Sequence, residues 1–144
     1  MGLYLNPNAD AFLGDKSTRI YVDKSLLIKE LNSLVGTKED FICMSRPRRF
    51  GKSMAGNMIS AYYSKGCDTR EVFSQMKLGE KVGFDKYLNK FNVIKLDLNE
   101  LYQTSIQKQR IDFLIADIHE TLAREFKEYF PLLSFKGDET LDQC

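Results

Sequence analysis

Tryptophan is absent from this 144-residue chain, histidine occurs once, and the three cysteines are widely spaced. Each shortage excludes something. Cys43, Cys67 and Cys144 offer neither an even-numbered disulfide framework nor a CxxC metal site. Cys43 is expected to act as a small apolar residue inside a strand. His119 has no second histidine and no cysteine near it in the chain, which argues for a plain helical position over a metal centre. No apolar run reaches the length of a membrane span, and the N-terminus lacks a charged-then-apolar leader. A cytoplasmic location with no membrane partner is therefore the expectation. A net charge of +1 gives no global pull toward nucleic acid. Internal repeats and low-complexity segments are also missing.

What is present is one dense motif, Ser45-Arg-Pro-Arg-Arg-Phe-Gly-Lys-Ser53. A short apolar run, Phe41–Met44, precedes it, and a segment with helical patterning, Met54–Tyr63, follows. Strand, tight loop, Gly-Lys-Ser and helix are the context that a phosphate-binding P-loop requires. Backbone N–H groups at a helix start favour an anion, as does the helix dipole. Lys52 is placed to reach the β- and γ-phosphates of ATP, and the Ser53 hydroxyl to ligate Mg²⁺. The candidate nucleotide-binding residues are Arg46, Pro47, Arg48, Arg49, Phe50, Gly51, Lys52, Ser53 and Met54. The match to G-x-x-x-x-G-K-[ST] is incomplete: Arg46 takes the first glycine position, and Pro47 removes one N–H donor. A bare basic turn between a strand and a helix is the competing structural reading.

The motif, together with Ile20-Tyr-Val-Asp-Lys-Ser25 upstream, resembles the predicted AAA-ATPase-like family of bacterial and archaeal proteins. That family carries a "YVDKT" element followed by an "RPRRFGKS" P-loop, and arginine at the first glycine position is usual in it. Tyr87-Leu-Asn-Lys-Phe-Asn-Val-Ile-Lys-Leu-Asp97 is similar to the family's next strand, so the resemblance covers about residues 1–103. It implies ATP and Mg²⁺ as ligands. It also implies a link to DNA through the nuclease-like domain that such proteins often carry at their C-terminus and that is not in this chain. The family's acidic strand, an apolar run followed by Asp-Glu-Tyr-Asp, has no counterpart here. Asp97, after its own apolar run, stands as a second metal candidate beside Ser53; orienting a loop or capping the next element are its alternative roles.

The periodicity predicts a helix over 24–35 capped by Asp23, with Leu27, Leu31, Leu34 and Val35 on one face. Tyr21 and Asp23 admit two readings. One is structural, an aromatic and a cap at a strand-to-helix corner; the other has Tyr21 stacking on a nucleotide base. Thr18–Val22, Phe41–Met44 and Asn92–Leu98 read as strands, the last two fit for a parallel βαβ sheet. Met54, Met58, Ala61 and Tyr62 form the buried face of the helix after the loop, and short helices are expected up to Met76 and over Asp85–Asn89. A long amphipathic helix over 105–130 carries Ile111, Leu114, Ile115, Ile118, Leu122, Phe126 and Tyr129 on one face and stops at Pro131.

The expected fold is thus α/β, a P-loop NTPase-like parallel sheet flanked by helices and incomplete. Residues 1–144 divide into an irregular arm (1–17), a P-loop core (18–103), the long helix (105–130) and a polar tail (131–144). The expected function is ATP binding by the N-terminal part of a longer ATPase, weak or lacking in hydrolysis without the missing part. The alternative is a non-catalytic module whose basic loop holds nucleic-acid phosphates or a protein partner. A sheet lacking strands would leave an exposed edge, which makes homo-oligomerisation a further expectation.

Overall fold

Six helices account for the regular structure of the computed structural model, which describes residues 2–39, 41–45, 47, 49–107 and 114–131. They are α1 (Asp10–Lys16), α2 (Leu26–Leu34), α3 (Lys52–Tyr63), α4 (Arg70–Ser74), α5 (Leu98–Gln107) and α6 (Leu114–Tyr129). The chain divides into two units, Asn6–Val93 and the pair of segments 1–5 and 94–144.

The first unit is built on α3. Its periodic face buries Ala55, Met58, Ala61 and Tyr62. Phe12 of α1, Ile28 of α2, Phe73 of α4 and Leu78 complete the core. Phe12 stacks on Phe73 at 5.2 Å, and Tyr62 meets Phe73 edge-on at 5.3 Å. Such pairs add about 0.5–1.5 kcal/mol each beyond the area they bury. Asn32 ties α2 to α3: its amide donates to the Tyr62 hydroxyl (2.9 Å) and its oxygen accepts from the Tyr63 hydroxyl (2.6 Å). Burial raises the pKa of both phenols, so they stay neutral donors.

The C-terminal end of α3 is closed by Asn89. Its amide donates to the carbonyls of Ala61 (3.0 Å) and Ser64 (3.1 Å), and its oxygen accepts the Thr69 N–H (3.1 Å). Thr69 adds its own hydroxyl to the Ala61 carbonyl at 2.9 Å. Asn89 sits at φ 55, a left-handed conformation that asparagine tolerates better than most residues.

In the second unit a carboxylate does the organising. Glu125 of α6 is buried, and it accepts the N–H groups of Leu3, Tyr4 and Leu5 from the N-terminal arm. Leu5 forms an isolated antiparallel bridge with Ile94, and Lys95 N–H donates to the Tyr4 carbonyl. Gly2 is held small by the same contact, because a Cβ there would meet the Glu125 carboxylate.

The parallel sheet is not formed. Among the described residues there is no strand, only two isolated bridges, Leu5 with Ile94 and Ser64 with Phe91. The fold is helical, and the expected α/β P-loop sheet is corrected accordingly. Phe41 is 99% exposed and Ile42 and Met44 are also open to solvent, so Phe41–Met44 is no buried strand, and Cys43 is exposed with them. Apolar character does not make a strand without a partner to take its N–H and C=O groups. Thr18–Val22 likewise pairs with nothing as a strand. Asn92–Leu98 forms no strand beyond the isolated bridge at Ile94, and α5 takes over at Leu98, where the Asp97 carboxylate accepts the Asn99 N–H at 3.0 Å.

Residues 10–16, expected as part of an irregular arm, form α1. The segment 85–89 is a run of turns rather than a helix. The expected helix over 105–130 is represented by the end of α5 and by α6. Residues 108–113, Ile111 among them, and the tail from 132 lie outside the described residues.

Removing the Asn89 clip tests this account. Asn89→Ala should lower unfolding stability by about 2–4 kcal/mol, since it leaves buried groups unpaired and keeps a side chain at positive φ. Asn89→Gly, which relieves the backbone but not the lost bonds, should recover only part of it. Urea unfolding of the three proteins separates the two contributions.

Candidate functional site

Gly51 begins α3 in the left-handed conformation, φ 71 and ψ 37. A left-handed residue followed by right-handed helical ones turns successive N–H groups to one side, the arrangement of backbone anion sites. Lys52 and Ser53 are the first two helical residues, and both are exposed. The cap residue has no side chain and makes no capping bond to the first turn. Arg49 also lies at positive φ, 66°. For a residue with a Cβ this costs roughly 1 kcal/mol, a strain more common at binding loops than elsewhere.

The loop is held from outside by the segment before α2. Asp23 accepts the Ser25 N–H with one oxygen (2.8 Å) and the Lys77 N–H with the other (2.8 Å). The buried Ser25 hydroxyl accepts the Leu78 N–H at 3.0 Å. With Asp23 and Ser25 fixed, Lys24 extends between them, and its Nζ donates to the Phe50 carbonyl at 2.6 Å. A Cβ at Gly51 would lie 2.9 Å from that Nζ. The φ is what calls for glycine here, and a Cβ would also push the lysine ammonium aside.

Two cavities open on this bridge. One, of about 320 Å³, is lined by Lys24, Leu27, Met44, Phe50, Gly51, Lys52 and Ala55. The other, of about 240 Å³, is lined on its apolar side by Ile20, Tyr21, Val22, Met54 and Met58. Arg49, Lys24, Phe50 and Gly51 close it. Among the described residues, no carboxylate lines either cavity.

Of the sequence-predicted site residues, Arg49, Phe50, Gly51, Lys52 and Met54 line these cavities. Ser53 stands beside them in the first turn of α3, and Pro47 is exposed in the preceding loop. Arg46 and Arg48 lie outside the described residues. Asp97 belongs to the other unit, where it caps α5. Asp23 acts as the structural reading has it, though it binds the Ser25 N–H ahead of the helix rather than serving as the cap itself. The reach of Lys24 to Phe50 was not legible: nothing in sequence spacing joins positions twenty-six apart.

A family model described as Predicted AAA-ATPase matches residues 15–140. No curated protein and no solved structure matches the chain. No helix among the described residues is long and apolar enough to cross a membrane, and none of their His, Cys, Asp or Glu side chains cluster as metal ligands.

Two outcomes follow from the anchoring of the loop. Burial opposes the charge on Asp23, but the Lys77 N–H and the Ser25 donors outweigh it and lower its pKa below the ordinary 3.8. Its contribution is therefore complete above the ordinary carboxylate range and is lost as pH falls through the depressed value. Urea midpoints measured from pH 7 to pH 3 should fall less steeply for Asp23→Asn than for the wild type. Gly51→Ala should cost about 1–2 kcal/mol in the same assay, because it adds a Cβ at positive φ and displaces Lys24.

Proposed function

The chain belongs to the predicted AAA-ATPase family, and on that premise we propose that the Arg49–Met54 loop binds the phosphates of ATP. One observation carries the reading: left-handed Gly51 starts a twelve-residue helix whose first residues are Lys52 and Ser53. The dipole and the first-turn N–H groups of that helix favour an anion, and the Lys52 ammonium adds a point charge to it. Arg46 and Arg48, neighbours in sequence, supply further positive charge to the same polyanion.

The glycine cradle and the lysine fit a phosphate well. For Mg²⁺ the donor set is thinner. Ser53 offers a hydroxyl, and the remaining ligands would be phosphate oxygens and water, as is usual for this ion. Asp97 is already engaged as the cap of α5 and is not assigned to the metal. Hydrolysis further requires a group that orients the attacking water and a carboxylate that places the metal. Among the described residues, neither cavity is lined by one. The reading is accordingly of a nucleotide-binding domain with slow turnover on its own.

Titration calorimetry with Mg-ATP tests it. The wild type should bind, and Lys52→Ala should weaken binding on the order of ten- to a hundredfold. Phosphate release should stay near the uncatalysed background. Absence of binding in demonstrably folded protein would sink the proposal. DNA binding that falls steeply with salt and ignores ATP would favour the basic-loop alternative.

A further inference from the structure

The cavity on the Tyr21 side of Lys24 carries Lys24 and Arg49 at one part of its wall and a group of apolar side chains at another. Ile20, Tyr21, Val22, Met54 and Met58 give it aromatic, branched and thioether walls. It shares Lys24, Phe50, Gly51 and Ala55 with the cavity that holds Lys52. The two cavities are thus neighbours that meet at the Lys24–Phe50 bridge. Taken singly the two spaces are at or near the low end of the roughly 300–1,000 Å³ typical of small-molecule sites; side by side they fall within it.

We propose that this second cavity is the base and ribose subsite of the nucleotide, with the ring of Tyr21 as its stacking face. The inference rests on the phosphate-binding reading of the Gly51–Ser53 loop. A ligand that fills both spaces has a flat apolar end and an anionic end, which is the chemistry of a nucleoside triphosphate. Tyr21 is half-buried against the core of its unit, so its ring is held on one side while it lines the cavity. Ile20 and Val22, which flank it, are 81% and 64% exposed, apolar surface that a bound base would cover. Burial, Asp23 and Asp15 all raise the pKa of the phenol, so the ring is neutral and not repelled by an anionic ligand. Stacking on an aromatic face is available to every base, so the ring itself recognises a base without reading its edge.

The test compares ATP with inorganic tripolyphosphate, both with Mg²⁺, by calorimetry on the wild type, Tyr21→Ala and Tyr21→Phe. ATP should bind the wild type on the order of tenfold more tightly than tripolyphosphate. Tyr21→Ala should remove that advantage and leave tripolyphosphate affinity unchanged, and Tyr21→Phe should restore it. Equal affinity of the two ligands for the wild type overturns the subsite while leaving the phosphate loop standing, and needs no variant to fold. A Tyr21→Ala chain that loses both ligands alike also overturns it, since the ring would then act only through the fold. If neither ligand binds the wild type, the phosphate reading fails and this inference with it.

Discussion

A helix begins with N–H groups and ends with C=O groups that have no partner inside it, and the unit 6–93 is organised around how α3 meets that constraint. At its C-terminal end the answer comes from side chains: the Asn89 amide and the Thr69 hydroxyl take the carbonyls of Ala61 and Ser64. At its N-terminal end the cap is a glycine, which brings no side chain to the first turn. The middle is fixed by Met58, Ala61 and Tyr62 in the core. One end is closed by protein, and the other is shaped by a loop suited to an anion.

Helices were legible because their signals are local. The stretches 24–35 and 54–63 each show a repeat of apolar residues, and α2 and α3 fall on them within two residues at each end. Even there the repeat was only approximate: Ile28, not one of the four leucine and valine positions, is the fully buried residue of α2. The strands failed for the opposite reason. Phe41–Met44 and Asn92–Leu98 are apolar, but strand formation depends on a partner supplied from elsewhere in the chain. Phe41 finds no such partner and stands in solvent, while the second segment makes one isolated bridge before the Asp97 cap starts α5 at Leu98. Glu125 shows the same limit. A glutamate on the polar side of an amphipathic pattern reads as surface, yet three N–H groups of a distant arm make it a buried anchor.

The candidate site was legible where a residue type answers a backbone need. Gly51 is such a position, since its φ of 71° calls for glycine and a Cβ would also push Lys24 aside. The positive φ of Arg49, by contrast, has no signal in the residue type. The role of Asp23 was half-legible, because an acid before a helix has an evident local use, while its second oxygen binds Lys77 across the fold.

The same anchoring sets the sign of the field at the loop. The Phe50 carbonyl oxygen is a partial negative charge one residue before Gly51, and on its own it would oppose an anion. Lys24, bound to it at 2.6 Å, counters that charge and leaves the N–H groups and Lys52 to dominate. Because Asp23 and Ser25 hold the backbone on either side of Lys24 in place, little remains to be ordered when a ligand arrives, and preorganisation of this kind conserves affinity. Binding is served by charge and backbone already in position. Turnover would need a carboxylate, and none of the described residues lining the cavities is one. On the proposed reading, the described part of this unit supplies charge and backbone for holding a nucleotide.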